Sequence, residues 1–304
     1  MNEDITSINT SDVCPKNDND KKCAPGISFD AGSCIKLNIL IEMAKAYNKE
    51  NGSTPIKLHQ NLEILNPRKY KKYLVSEFNK KLGKQCSSQK CWLEQSFISN
   101  MKVTAREELE KYTIRPDGPN GRFEWLNTIN INEVMEQYEK KNPNFKFIGA
   151  VPIDFDDFER FGIRNLDYSK LLSDGKSKLG FVFNLDEHDQ PGSHWVALYS
   201  DLAKGEIYFF DSYGAKPERR IRTLMRRLAN FCRIGSGVKS GKLKVNYNKI
   251  RHQYENSECG VYSINFIARM LRGDSFDDIC GSKVPDKKIN KCRNVYFNNV
   301  DIKA

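Results

Sequence analysis

A cysteine followed by a glycine opens an apolar helical pattern near the end of the chain. Cys259 and Gly260 follow the polar stretch "ENSE" at 255–258, and apolar residues then recur at helical spacing. The free N–H groups and the positive dipole end at a helix start favour a thiolate, the nucleophilic form of cysteine. Most free cysteines are inert core residues, so this stretch by itself fits a catalytic thiol and a packed thiol.

A nucleophilic thiol needs a base, and the chain has four histidines. His59 falls in a helical region, and His188 falls in the charged loop "DEHDQPG". His252 is close to Cys259 along the chain and stays open as a base. His194 begins a predicted strand, where a rigid sheet can aim the imidazole, so the sequence favours His194.

Two short predicted strands, "HWVALYSDL" and "EIYFFDSY", are joined by "AKG" and predict a hairpin. If Leu202 pairs with Gly205, His194 lies opposite Tyr213. Asp211 is then diagonal to His194 on the same face, about 7–8 Å away between α-carbons. A slip of one residue would place the two on opposite faces. The same pattern also fits a half-buried hairpin with polar edges.

A glutamine lies six residues before the cysteine. Acyl transfer requires donors aimed at the developing oxyanion, which the amide of Gln253 and the backbone N–H of Cys259 could supply. A single glutamine is more often a surface residue. Gly260 is expected because a side chain there would crowd the backbone at the helix entry.

The order His194, Asp211, Gln253, Cys259 and Gly260 resembles the cysteine proteases of the SUMO-protease and adenovirus-protease clan. The resemblance implies an α+β fold with a papain-like, SUMO-protease-type core. It also implies that Cys259 attacks the carbonyl, His194 transfers the proton, Asp211 holds His194, and Gln253 binds the oxyanion. It implies no metal and no organic cofactor.

The segment "EWLNTININEVMEQY" resembles the stretch that opens the SUMO-protease domain, with Thr128 in place of the usual aspartate. Trp125 and Trp195 then match two tryptophans that clamp a diglycine. "ELEKY", "RPDGPNG" and "IRHQYENSECGVYS" resemble maturation proteases of large cytoplasmic DNA viruses such as African swine fever virus. That resemblance implies cleavage of structural polyproteins after Gly-Gly-X, in the host cytoplasm or virion.

Two other hypotheses remain open from the sequence. One is a processing protease or isopeptidase for SUMO or ubiquitin-like proteins, in the cytoplasm or nucleus. The other is a non-catalytic DNA- or protein-binding module on the same fold, against which the intact His194, Asp211, Gln253 and Cys259 argue. In both enzyme hypotheses the partner is a protein substrate, either a structural polyprotein or a ubiquitin-like protein.

The patterning along the chain predicts three regions. Residues 1–30 are polar and predict a disordered tail, and 31–116 predict a helical arm. Residues 117–304 mix strands with helices and predict the catalytic domain. The proline- and glycine-rich "RPDGPNGR" marks the boundary. Within the arm, Thr104 and Glu107 suggest a capping box.

The chain has 304 residues and a net charge of +10, and it contains no apolar run long enough to span a membrane. The sharpest basic element is a predicted helix at 217–233 with six arginines. Nucleic acid or an acidic protein could bind it, although a solvated helix face explains the same pattern.

Nine cysteines and no secretory signal predict free thiols in a reducing compartment. Cys86 and Cys91 have a loose metal spacing, but no second close pair accompanies them. Dispersed free thiols are therefore favoured over a zinc site.

Overall fold

The computed structural model describes residues 13–15, 22–59, 61, 65–119, 123–235 and 242–300. The chain divides into two compact units, one spanning 17–116 and the other spanning 117–304 together with 1–16. Within the described ranges, no helix combines the length and the apolar character needed to cross a membrane.

The unit at 17–116 is helical. Its elements are α1 (Leu37–Glu50), α2 (Pro67–Leu82), α3 (Gln89–Trp92), a 3-10 helix (Ser96–Asn100) and α4 (Val103–Tyr112). Their apolar faces form a separate core that includes Leu40, Leu74 and Phe78. The predicted capping box at Thr104 is wrong, because Thr104 lies inside α4. The helix begins at Val103 and its N-cap is Lys102, with no capping side chain.

The segment 22–30 belongs to this helical unit. Cys23 forms a disulfide with Cys34, and both Cys23 and Ala24 are buried. The backbone N–H of Ala24 donates to the carbonyl of Thr113 at 3.0 Å. The predicted disorder is therefore wrong for 22–30, since a covalent bond and backbone hydrogen bonds hold that segment in place. The rest of the predicted tail, apart from 13–15, lies outside the described residues.

Six of the nine cysteines are paired, so the prediction of free thiols is wrong for them. Their α-carbons lie 5.2–5.4 Å apart, within disulfide reach, in Cys14–Cys292, Cys23–Cys34 and Cys86–Cys91. Local spacing cannot reveal the partner of Cys14, since Cys292 is separated from it by 278 positions in sequence. The free cysteines are all buried, and they are Cys232, Cys259 and Cys280.

The second unit is built on a five-stranded sheet in the order β1-β2-β3-β4-β5. The strands are β1 (Phe145–Pro152), β2 (Lys178–Asn184), β3 (Trp195–Asp201), β4 (Glu206–Phe210) and β5 (Lys244–Tyr247). The outer pairs are parallel, and the pairs β2–β3 and β3–β4 are antiparallel. This mixed sheet confirms the predicted α+β class.

Helices cover both faces of the sheet. They are α5 (Thr128–Lys141), α6 (Tyr168–Ser173), α7 (Arg219–Ile234), α8 (Cys259–Arg272), α9 (Phe276–Cys280), α10 (Asp286–Lys291) and α11 (Arg293–Tyr296), with 3-10 helices at Phe155–Asp157 and Glu159–Phe161. Ala197 and Phe210 share a core with α5 and α8, whereas their chain neighbours Val196 and Phe209 share a core with α7. The two-residue period of the strands thus fills a core on each face.

The arginine-rich helix α7 is only partly neutralised. Arg220 pairs with Asp157, and Arg227 pairs with Asp156 at 2.9 Å. Its apolar stripe, including Leu224, is buried against the sheet. The other arginines of the helix face solvent, and they are Arg219, Arg222, Arg226 and Arg233.

Candidate active site

The hairpin of β3 and β4 has the predicted register. Asp201 pairs with Glu206, and Ala197 pairs with Phe210. Continuing the pairing by three residues places His194 opposite Tyr213, at the edge where β3 begins and β4 ends. The short loop sets this register, and the buried faces of both strands hold it.

His194 and Asp211 meet at this edge. The Nε2 atom of His194 lies 2.7 Å from Oδ1 of Asp211, and both residues are buried. The side chain of Cys259 also acts on the pKa of His194, and Nδ1 is the ring nitrogen left to face the thiol. Burial alone would lower the pKa of His194, but the interactions with Asp211 and Cys259 outweigh it and raise the pKa to about 9.

The backbone of Asp211 is held from both sides by Asn248, a residue that sequence analysis missed. The Asp211 N–H donates to Asn248 Oδ1 at 2.8 Å, and Asn248 Nδ2 donates back to the Asp211 carbonyl at 2.7 Å. The backbone N–H of Tyr213 donates to Asp211 Oδ1 at 2.9 Å. The carboxylate is therefore fixed before it meets the imidazole. No local signal marked Asn248, because it contacts Asp211 from 37 positions away.

Cys259 is the first residue of α8 and is 2% exposed. A β-carbon at Gly260 would lie 2.9 Å from Cβ of Leu126. The predicted reason for Gly260 is therefore corrected: a side chain there would collide with the Leu126 side chain rather than with the helix entry. Glycine lets the segment at 125–126 pack directly on the start of α8.

Gln253 is fully buried, not a surface residue. Its Oε1 accepts from Ser212 Oγ at 2.6 Å, and its Nε2 donates to the Glu255 carbonyl at 2.8 Å. An amide nitrogen carries two hydrogens, so one N–H of Nε2 remains for an oxyanion. Ser212, which lies next to Asp211 in sequence, thus orients this amide and was also missed by sequence analysis.

Trp125 and Trp195 line one cleft of about 430 Å³. Trp125 is 46% exposed, whereas Trp195 is 5% exposed and its indole N–H donates to the carbonyl of Leu126 at 2.8 Å. Trp195 also packs in the core beneath α8. One wall of the cleft is therefore the exposed ring of Trp125, and the other is the ring of Trp195, which a hydrogen bond fixes. The lining of the cleft includes Trp195, which follows His194 in the chain, and Leu126, which lies against Gly260.

The two rival histidines have other partners. His252 is 1% exposed, and its Nδ1 accepts from the backbone N–H of Val284 at 3.1 Å. Burial and the nearby charges of Arg269 and Lys283 lower the pKa of His252 to about 4. His188 lines the cleft, and its Nδ1 lies 2.6 Å from Oδ2 of Asp154.

A buried polar network lies behind the cysteine loop. The Glu258 carboxylate accepts from Ser257 and from Asn290 Nδ2 at 2.7 Å. The fully buried Arg293 donates to the carbonyls of Glu124 at 2.8 Å and Ser257 at 2.9 Å. Arg293 thereby joins the segment before Trp125 to the loop before Cys259. Sequence analysis missed this network, because its members lie far apart in the chain.

Only one of the three unpaired thiols in the described chain lies against a base. Burial raises the pKa of Cys232 to about 11 and that of Cys280 to about 12, so both are almost fully protonated at neutral pH. We therefore expect iodoacetamide to alkylate Cys259 at least about a hundredfold faster than either. Peptide mapping by mass spectrometry after timed labelling at pH 7, without reductant, measures the three rates. Faster labelling of Cys232 or Cys280 would contradict the assignment.

Comparison with known proteins assigns the chain to a family. Residues 92–300 match the Ulp1 protease family, C-terminal catalytic domain. A protein of Acanthamoeba polyphaga mimivirus, named as a thiol protease, is 39% identical over 273 residues, covering 88% of this chain and 89% of the relative. A cysteine protease of African swine fever virus is 26% identical over 251 residues, covering 76% of this chain and 89% of the relative.

A solved structure shares the fold. The crystal structure of an African swine fever virus protease aligns with a TM-score of 0.61 at 20% identity, covering 93% of this chain and 98% of that chain. At that identity the likeness concerns the fold, whereas the family match and the mimivirus relative concern the sequence. The chain belongs to the Ulp1 protease family and is a cysteine protease with viral relatives.

Proposed function

We propose that this cysteine protease is an endopeptidase that cleaves after Gly-Gly-X-like sites in viral structural polyprotein precursors during virion maturation. The observation that carries the proposal is the meeting of Cys259, His194 and Asp211 beside a cleft walled by Trp125 and Trp195. The viral relatives support a viral substrate and action in the host cytoplasm or the virion.

The hydrogen bonds of the site support the proposed catalytic roles. The Cys259 thiolate attacks the scissile carbonyl, and the oxyanion is bound by the Gln253 amide and the Cys259 N–H. The C–N bond then breaks as His194 Nδ1 gives its proton to the leaving amine. Water, deprotonated by the same nitrogen, hydrolyses the thioester and releases the acid and the thiol. Asp211, which accepts from Nε2, holds the imidazole in place throughout.

Exclusion by flat rings explains the proposed preference for glycine. Trp195 is held by its hydrogen bond to Leu126, and Gly260 brings Leu126 against the start of α8. A substrate strand that passes between Trp125 and Trp195 toward Cys259 has little room for a β-carbon. Specificity then arises from the clash with larger residues and needs few hydrogen bonds.

This proposal predicts a sharp dependence on the two glycines. Replacing either glycine of a Gly-Gly-X peptide by alanine is expected to lower kcat/KM at least about tenfold, or ~1.4 kcal/mol of transition-state binding. Trp125→Ala is expected to weaken this discrimination, because it removes the exposed wall of the cleft. The same variant should leave alkylation of Cys259 by iodoacetamide unchanged. Equal cleavage of alanine and glycine peptides by the unmodified enzyme would remove the proposed substrate class.

Ubiquitin-like substrates are the second candidate within the same enzyme class. A further relative in African swine fever virus, 27% identical over 253 residues, carries the name SUMO-1 cysteine protease. Candidate structural precursors and a SUMO precursor should be incubated in parallel, each with the unmodified chain and with Cys259→Ala. Cleavage of the structural precursors at Gly-Gly-X supports the proposal. Cleavage of the SUMO precursor alone assigns the second function.

A non-catalytic binding module is the third candidate. It is favoured only by the solvent-facing arginines of α7, namely Arg219, Arg222, Arg226 and Arg233, which could receive nucleic acid or an acidic partner. Charge of this kind is also the ordinary solvated face of a surface helix. The buried contact of His194 with Asp211 and Cys259 favours the enzyme.

A further inference from the structure

A tyrosine ring covers the imidazole of His194. The rings of His194 and Tyr213 are stacked, with centroids 4.3 Å apart and planes 8° from parallel. The hydrogen bond from Nε2 to Asp211 fixes one atom of the imidazole but leaves some freedom in the tilt of the ring plane. A flat ring against the imidazole face removes this freedom. Tyr213 therefore restrains the plane of the imidazole in which Nδ1 lies.

Arg251 lies over this tyrosine. Its guanidinium carbon is 5.1 Å from the Tyr213 ring centroid and 4.7 Å from the centroid of Tyr254. Lys283 places its Nζ 3.6 Å from the Tyr254 centroid. Cations over aromatic faces are attracted by the ring quadrupole. The result is a column of alternating rings and cations that starts at His194.

The same arginine holds the residue proposed to bind the oxyanion. Arg251 Nε donates to the backbone carbonyl of Gln253 at 2.8 Å. The Gln253 N–H donates to the Ser212 carbonyl at 2.9 Å, so its backbone is held on both sides. Arg251 thus contacts one side chain packed on the base and the backbone of the amide donor.

A glycine brings the two loops together. Gly214 has φ +73°, and a β-carbon there would lie 2.9 Å from the backbone of Ile250. The turn after β4 therefore touches the segment that carries Arg251 and Gln253. Any side chain at this position would push the two loops apart, which would separate the Tyr213 ring from the guanidinium.

We propose that Arg251 and Tyr213 are positioning residues that set the orientation of His194 and the location of the Gln253 amide together. This inference rests on the roles proposed above for His194 and Gln253. Two different measurements distinguish the effect on His194 from the effect on Gln253. Alkylation of Cys259 requires the aligned base but no oxyanion donor, whereas peptide hydrolysis requires both.

The first test removes the guanidinium. Arg251→Met is expected to lower the iodoacetamide rate constant of Cys259 about threefold and kcat on a Gly-Gly-X-aminocoumarin peptide at least about tenfold, because hydrolysis loses two alignments. KM should change less than about twofold. Lys283→Met is the matched control, since Lys283 contacts Tyr254 but neither Tyr213 nor Gln253. Equal losses in both variants, or no loss in Arg251→Met, would overturn the proposal.

A lysine separates the two contacts of Arg251. Arg251→Lys keeps a cation near the Tyr213 ring but lacks the fork that also reaches the Gln253 carbonyl. We expect it to restore the alkylation rate and not kcat. Restoration of both, or of neither, would contradict the coupling of the two sites.

The tyrosine is tested with a matched pair. Tyr213→Phe keeps the ring, so the rate constant for alkylation of its Cys259 by iodoacetamide should lie within about twofold of that of the unmodified chain. In Tyr213→Leu the same rate constant should be about tenfold lower. The fraction of Cys259 that can be labelled and the Tm both report folding. A variant that is only destabilised is recognised because both values fall. Equal rates for Phe and Leu would exclude stacking as the cause. Because alkylation needs no peptide, it remains informative even if the Gly-Gly assignment fails.

Discussion

Replacement of Cys259 by alanine is expected to abolish peptide hydrolysis and to leave the fold intact. Cys259 is the only one of the described free cysteines whose side chain acts on the pKa of His194, and alanine removes the thiol without adding bulk to the core. Removal of a triad nucleophile costs on the order of 10⁶ in kcat in comparable enzymes. Turnover of a Gly-Gly-X-aminocoumarin peptide, with the Tm as a control for folding, measures the effect.

Cys280→Ala is the matched control for that variant. Cys280 is a buried free thiol like Cys259, but burial raises its pKa to about 12. Its loss should leave turnover within about twofold after correction for the folded fraction. If Cys259→Ala retained substantial turnover while Cys280→Ala lost it, the nucleophile would be misassigned and the helix start at α8 would have no catalytic role.

His194→Ala is expected to lower kcat by roughly 10³ or more, as removal of a triad base does. The imidazole is the only described side chain that joins a carboxylate to the Cys259 thiol, so no neighbour can replace it. His188→Ala and His252→Ala should cost far less, since each ring is engaged elsewhere. Because His252 is buried, its variant must be compared per folded molecule. A dead His252→Ala beside an active His194→Ala would refute the hairpin argument.

The dependence of activity on pH is expected to follow the protonation of His194. The pKa of His194 is raised to about 9, so the imidazolium persists below that pH and is lost above it. Activity should therefore fall as pH rises through about 9, when the proton for the leaving amine is no longer available. Asp211→Asn removes the negative charge that helps to raise this pKa, so the decline should move to lower pH. Asp211→Asn is also expected to be milder than Asp211→Ala, because asparagine keeps an acceptor.

Local sequence was sufficient to align His194 with Asp211. A two-residue side-chain period and a short loop place His194 and Asp211 on one face of a hairpin, and the structure has that register. The break from polar residues to helical periodicity likewise located Cys259 at the start of α8. These features depend on neighbours within a few positions, so the chain encodes them without reference to the rest of the fold.

Only the tertiary structure decided what surrounds that pair. Arg293 reaches Glu124 across 169 positions, and Cys14 reaches Cys292 across 278. Neither contact leaves a period or a spacing in the sequence, because each depends on how separately formed elements pack. Arg251 illustrates the same limit: the sequence shows one more cation in a basic chain, and only the packed loops place its guanidinium over Tyr213. Local sequence patterns were thus enough to identify the candidate site residues. The contacts that hold these residues in place come from distant segments of the chain.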